Sequence, residues 1–317
     1  MHQVTRPAAQ TPSFLADYLQ HVGMENRYAW HDVPCEVCGG DEHTIIREQC
    51  DIGLQKFGKL PVVACNRCGF LFQTPRFCRE FYSDYYGRRY RDVMYGNSAP
   101  SQDYIDDQIR RAHHIRQNLK AHLPRTGRIL DVGCAVGAML IPFIENGWQA
   151  HGTDPDVGFA QYGRDALGLP VQVVAAEEMR LDDEAYDLII IMGSLEHVYD
   201  PNRTLELCRR ASRPNGLLLL EGRGHPNGPR YFNHTHHRYL SLNSMELLMI
   251  RHGWSPVLTT DEPLSGPTRP GRIYCLGRAG NIPGRKAFLE LIDSGKREDP
   301  ADLLCKFARF DQPVTTS

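Results

Sequence analysis

The chain has 317 residues, enough for one large or two modest domains with ample buried core. Hydrophobic residues make up 41% and charged residues 23%, the balance of a soluble globular protein. A formal net charge of −2 excludes a general electrostatic pull toward nucleic acid or anionic membrane, and apolar runs such as Leu188–Met192 and Leu217–Leu220 are strand-sized, too short for a membrane span.

The N-terminal stretch MHQVTRPAAQTPSF has no apolar signal core, so the cytoplasm is the expected location. Residues 1–30, with scattered aromatics and prolines, read as a loosely held arm. Over residues 31–75 two Cys-x-x-Cys-Gly knuckles follow, Cys35 with Cys38 and Cys65 with Cys68. Four thiolates so spaced can occupy the corners of a tetrahedron, the closed structural site that Zn²⁺ prefers. A redox reading of the pairs fits poorly, because no thioredoxin-like βαβ pattern surrounds either. Between the knuckles, Thr44–Glu48 and Leu60–Val63 are predicted strands, and so small a unit would draw much of its folding free energy from the metal. Cys50 and Cys78 fall outside the knuckle spacing and read as spare or buried thiols. Residues 76–102 form a Tyr-rich connector whose aromatics either pack the ribbon onto the next domain or line a substrate site.

Residues 103–280 alternate helical and strand patterns. Ile105, Ile109, Ala112, Ile115 and Leu119 predict a helix over Asp103–Leu123, ended by Pro124 and Gly127. Arg128–Leu140 then reads as strand, glycine loop and a helix beginning near Ala138, with Asp131 at the strand end and Gly133 and Gly137 bracketing the turn. In an open α/β sheet this loop borders the crevice that receives a nucleotide-like ligand, and a Cβ at either glycine would hold the backbone away from it. The second strand, Gln149–Gly152, leads to Asp154, about twenty residues past the loop, the separation at which a carboxylate reaches ribose hydroxyls. A helix cap is the competing reading of Asp154. Val171–Ala175 is a third strand, and Tyr186–Met192 a fourth, buried on both faces by its unbroken apolar run. After a fifth strand, Leu217–Glu221, comes a loop holding His225, His234, His236 and His237. An amphipathic helix Ser241–Arg251, strands Trp254–Thr260 and Arg272–Leu276, and a polar tail (281–317) with one helical stretch, Arg285–Ile292, complete the chain. The tail either packs on the sheet edge or mediates homodimer contacts.

This series resembles the class I S-adenosylmethionine (SAM) dependent methyltransferases. Their acidic residue and G-x-G-x-G are matched by Asp131, Gly133, Ala135 in place of the middle glycine, and Gly137. The run Gly193–Val198 after the fourth strand and the Arg213–Gly216 turn before the fifth match two further signatures. With the knuckles, Thr74-Pro75-Arg76 and Phe81–Tyr86, the chain is similar to the zinc-ribbon members found in surface-glycan, sugar-nucleotide and natural-product pathways.

The resemblance implies a Rossmann-like α/β fold, a seven-stranded sheet with a small N-terminal zinc ribbon. It implies SAM and Zn²⁺ as cofactors, the metal on Cys35, Cys38, Cys65 and Cys68. SAM would meet Asp131, Gly133, Cys134, Gly137, Asp154 (the ribose ligand), Ala176, Glu177 and Gly193. The acceptor would be a small molecule, a sugar, sugar nucleotide or natural product, methylated at oxygen or carbon. Catalytic roles would fall to Glu196 and His197 after the fourth strand and to His237 and Tyr239 before the helix at Ser241. A hydroxyl acceptor benefits from a base, and histidine suits that near neutral pH. Two other readings compete. One is an RNA methyltransferase gripping RNA with the ribbon, opposed by the balanced charge and by Gly193-Ser194-Leu195-Glu196 where an N/D-P-P-Y/F motif would stand. The other is a non-catalytic SAM-binding scaffold.

Overall fold

In the computed structural model, residues 5–6, 13–48, 50–53, 56–58, 60–96, 99–224, 232 and 235–308 are described. Seven strands, Arg128–Val132 (β1), Gln149–Asp154 (β2), Val171–Val173 (β3), Tyr186–Met192 (β4), Ser212–Arg223 (β5), Trp254–Thr260 (β6) and Arg272–Ala279 (β7), form one sheet in the order β3-β2-β1-β4-β5-β7-β6. All neighbours pair in parallel except β7, which runs antiparallel to both β5 and β6. The order reverses between β1 and β4, and there the strand ends leave a crevice.

The apolar run of β4 shows no alternation because both faces of the sheet are covered. Leu188 and Ile190 join Ile129, Leu217 and Leu219 against Ala112, Ile115 and Leu119, and against Phe143. Ile189 and Ile191 join Leu130, Leu218 and Leu220 on the other face, against Leu205 and Cys208 of helix Pro201–Ala211 and Leu247 and Leu248 of helix Leu242–Arg251. Each such side chain contributes about 1.5–3 kcal/mol on burial. The predicted helix before β1 is Gln102–Asn118, capped by the Ser101 hydroxyl, which accepts from the Tyr104 N–H at 3.2 Å. After the glycine loop only a short 3₁₀ turn, Ala138–Leu140, and a one-turn helix, Ile141–Ile144, are formed.

The ribbon strands His43–Arg47, Val62–Cys65 and Leu71–Gln73 make a second sheet, and its fourth strand, Arg238–Tyr239, arrives from the loop after β5. The reading of a loose arm is corrected for residues 13–30, whereas residues 1–4 and 7–12 lie outside the described residues: within helix Ser13–His21 Tyr18 and Leu19 are buried, as are Val22, Tyr28 and Trp30, in a cluster with Phe77 and Phe81. In the tail, helix Arg285–Asp293 packs Phe288 and Ile292 into the cluster that holds the four knuckle cysteines and Trp254 of β6. A further helix, Pro300–Ala308, unforeseen from sequence, seats Leu303 and Phe307 beside Leu60. Among the described residues no helix is long and apolar enough to cross a membrane.

Candidate active site

The glycine loop is pinned to β2 by the Thr153 carbonyl, which accepts from the Gly133 and Cys134 N–H groups at 2.7 and 3.0 Å. Ala135 stands in the left-handed region (φ 53°), and its N–H donates to Asp154 Oδ2 at 2.7 Å. Asp154 Oδ1 accepts from the Asp156 N–H at 2.9 Å. Capping of helix Val157–Asp165 falls to Asp156, whose Oδ1 accepts from Phe159 N–H at 2.8 Å, which removes the competing reading of Asp154. A Cβ on Gly133 would stand 2.5 Å from Ser194 Cβ, and one on Gly137 would stand 2.7 Å from Val171 Cγ2. The bare backbone thus lets the loop pack against β3 and the β4 end, and Gly137 is off the crevice wall.

The crevice holds a cavity of about 410 Å³. Asp131, Gly133, Cys134, Asp154, Ala176, Glu177 and Gly193 line it. Tyr82 and Tyr86, one turn apart on helix Arg79–Arg88, and Tyr90, which opens the next helix, Tyr90–Tyr95, also line it, while Phe81 and Tyr85 are buried in the cluster with Phe77; the Tyr-rich segment therefore serves both packing and lining. Asp131 is buried and its Oδ2 has no hydrogen-bond partner among the described residues; burial, with Asp154 nearby, raises its carboxyl to about 8. Burial also raises Asp154. A buried carboxyl open to a cavity, beside a second one, fits a ligand that carries positive charge and hydroxyl donors, as SAM does.

His197 lines the cavity too, its ring 5.6 Å from that of Tyr86. Its Nδ1 lies 2.9 Å from the Thr235 carbonyl, which also accepts from the Tyr86 hydroxyl at 2.8 Å. A carbonyl only accepts, so Nδ1 carries the proton and Nε2 the lone pair, a tautomer assigned from these partners. Burial lowers the ring to about 3, so it is neutral at physiological pH. The His236 ring, 4.8 Å from that of His197, also lines the cavity.

The other proposed catalytic residues lie behind the wall. Glu196 Oε1 accepts from the Arg223 N–H at 2.9 Å. The His237 ring is buried 4.1 Å from the Tyr82 ring, and Tyr239 faces the ribbon, its hydroxyl accepting from Gln73 Nε2 at 3.0 Å. His225 and His234 lie outside the described residues. The structure thus brings His197 to the cavity, and leaves Glu196, His237 and Tyr239 off it.

Ribbon and loop are tied by charge as well as by strand pairing. Glu36, between the first two cysteines, accepts from Arg238 at 2.5 and 2.7 Å and from Arg76 at 2.8 Å. Burial alone would raise the Glu36 carboxyl; the two guanidinium groups outweigh it and hold it down to about 2. Arg238 also donates to the Leu195 and Val198 carbonyls on either side of His197. The four knuckle sulfurs lie within 4.8 Å of one another, with Cys35–Cys68 and Cys38–Cys65 at 3.5 and 3.4 Å. A Zn–S bond near 2.3 Å gives tetrahedral edges of roughly 3.8 Å, so the set fits one Zn²⁺.

Several lining residues escaped the sequence. Gln108 and Arg111 sit on the predicted helix before β1, where nothing in the pattern marked the polar positions as functional. Arg269 and Arg272 sit in and after a Pro/Gly-rich turn. Because β7 runs antiparallel, its first residue arrives where the parallel strands end.

Residues 104–259 match the family model described as "Methyltransferase domain". They form a class I SAM-dependent methyltransferase domain. A ubiquinone biosynthesis O-methyltransferase of Cereibacter sphaeroides is 29% identical over 171 residues, 50% of this chain and 65% of that protein. One of Rhizobium etli is 34% identical over 123 residues, 37% of this chain and 49% of that protein. The chain thus spans less than two thirds of the length of the curated relatives it matches. The methyltransferase domain also shares its fold with the Burkholderia thailandensis 1,6-didemethyltoxoflavin-N1-methyltransferase, solved with S-adenosylhomocysteine (SAH): TM-score 0.53, 17% identity, 74% of this chain and 100% of that one.

Proposed function

We propose that the protein methylates a hydroxyl group of a small molecule, a sugar or sugar nucleotide, using SAM. The observation that carries this is one cavity lined by Asp131 and Asp154 at the glycine loop, by Tyr82, Tyr86 and Tyr90, and by His197, whose ring lies 5.6 Å from that of Tyr86. The relatives named for O-methyl transfer support oxygen over carbon. When bound, SAM supplies a methyl carbon made electrophilic by its sulfonium.

On this reading Asp154 receives the ribose hydroxyls, Ala176 and Glu177 border the base, and Asp131 faces the cationic methionine end. The tyrosine rings hold the acceptor and exclude water, and their rigidity sets its approach. His197 Nε2 accepts the acceptor's proton. A ring lowered to about 3 is a weak base. A hydroxyl oxygen that is gaining a bond to carbon becomes far more acidic than any imidazolium, so neutrality matters here more than basicity. Cys35, Cys38, Cys65 and Cys68 would hold one structural Zn²⁺ and keep the ribbon folded.

Transfer of labelled methyl from SAM across a panel of sugars, sugar nucleotides and phenols tests this. His197→Gln is expected to lower kcat about 100-fold while SAM affinity stays within about twofold. An unchanged kcat would remove His197 from the chemistry, and turnover confined to phenols would reject the sugar assignment.

A further inference from the structure

The turn that carries His197 is irregular, with Leu195 and Glu196 buried. It closes on itself through the His197 N–H, which donates to the Ser194 carbonyl at 3.0 Å. The carbonyls that follow need donors from elsewhere, because a carbonyl held from water and left unpaired is unfavourable. Two consecutive residues of the loop after β5 supply them. The His237 N–H donates to the Glu196 carbonyl at 2.9 Å. The Arg238 guanidinium donates to the carbonyls of Leu195 at 2.7 Å, Val198 at 2.5 Å and Tyr199 at 3.5 Å. Its other donors close on both oxygens of Glu36, at 2.7 and 2.5 Å. Arg238 is fully buried, and its backbone is held in register opposite Phe72 of the ribbon sheet. One planar group therefore grips peptide bonds before and after His197, while the ribbon fixes its own place.

Arg76 supplies the contrast. It is buried too and donates to the same Glu36 carboxylate at 2.8 Å, so balancing that carboxylate does not by itself require a second arginine. What Arg238 adds is the rigid fork, which spans the carboxylate and the carbonyls at once; a lysine would keep the charge and lose that span.

We infer that Arg238 is a positioning residue for methyl transfer: it fixes the turn from Leu195 to Tyr199, and with it the direction of the His197 ring, and it takes its own bearing from the first knuckle. This rests on the reading of His197 as the base. Direction matters because Nδ1 meets the Thr235 carbonyl at 2.9 Å, which leaves Nε2 for the acceptor. Val198 and Tyr199 also line the cavity, so the same grip shapes the wall beside the ring. A displacement of about 1 Å at such a group lowers a rate by up to about 100-fold.

The test uses the full chain. It reads kcat with whichever acceptor of the panel above turns over fastest, SAH affinity by calorimetry, and the ¹⁵N shifts of the His197 ring, which distinguish the Nδ1–H from the Nε2–H form without any acceptor. Arg238→Lys is expected to lower kcat about 30-fold with SAH affinity within about twofold of the parent, and to let the ring populate both forms. In a His197→Gln background the same substitution is expected to lower kcat at most about threefold, because its effect passes through the ring. Glu36→Asp, which draws the carboxylate back by one CH₂, is expected to move both readouts the same way, and it carries the comparison if Arg238→Lys does not fold. Arg251→Gln is the control. Arg251 donates to the Glu36 and Val37 carbonyls at 2.8 and 2.5 Å and, among the described residues, makes no contact with the turn, so kcat and ring shifts are expected to match the parent. An equal loss of kcat in both backgrounds would overturn the inference, as would a ring that stays wholly Nδ1–H in Arg238→Lys and Glu36→Asp. Changes in Arg251→Gln as large as those in Arg238→Lys would do the same. If His197→Gln alone leaves kcat unchanged, the base reading falls by itself, and the ring shifts decide the positioning.

Discussion

Ala135 holds the turn of the glycine loop in a conformation that costs an L-residue about 1–2 kcal/mol, with its N–H on Asp154. The departure from the family's middle glycine is one of composition and not of shape. Ala135→Gly is therefore expected to raise unfolding free energy by about 1 kcal/mol in urea denaturation, with SAM affinity essentially unchanged; a loss of stability would refute the strain. Asp131 carries a pH prediction. With its carboxyl near 8 it is protonated in the free protein at neutral pH, and a cationic ligand beside it favours the ionised form. Binding must then release a proton, so SAM affinity is expected to rise by up to about tenfold per pH unit between pH 6 and 8 and to level above. Asp131→Asn should flatten that dependence, as read by calorimetry at several pH values. Asp131 and Asp154 were legible because they sit at the carboxyl ends of β1 and β2, and His197 because it stands in the short turn after β4, where chain order alone delivers a side chain to the crevice. His237 and Tyr239 were misplaced because the loop that carries them is drawn out into a strand of another sheet.

That exchange defines the ribbon as an element. The two knuckles were legible since their ligand spacing is local, whereas the pairing of Arg238 with Phe72 joins distant parts of the chain and left no periodic trace. β7 shows the same limit: its strand was readable, but its antiparallel direction, and hence the delivery of Arg272 to the cavity, was not. Through Glu36, Arg76 and Arg238 the ribbon braces the peptide groups around His197. Glu36→Gln, which leaves two buried guanidinium groups undercompensated, is expected to cost about 3 kcal/mol of stability. Removal of metal with a chelator is expected to raise amide exchange over residues 236–241 by at least about tenfold while β1 and β2 stay protected. Equal protection of 236–241 with and without metal would mean that the loop does not depend on the ribbon.

Across the whole molecule one apolar cluster runs from the knuckle cysteines through the helical layer to β4 and β5, so ribbon and sheet share a core. In the proposed function the connector, the strand-four end and the loop after β5 would hold the acceptor, and β1 to β4 the cofactor. The two sets come from different stretches of chain, and substitutions in one should leave binding at the other nearly unchanged. The most direct measurement is calorimetry of SAH binding to the full chain and to Asp131→Ala and Asp154→Ala. One site per chain is expected, with affinity lost in both variants although their melting temperatures stay near that of the parent. Binding of undiminished strength in the two variants would contradict the site as described.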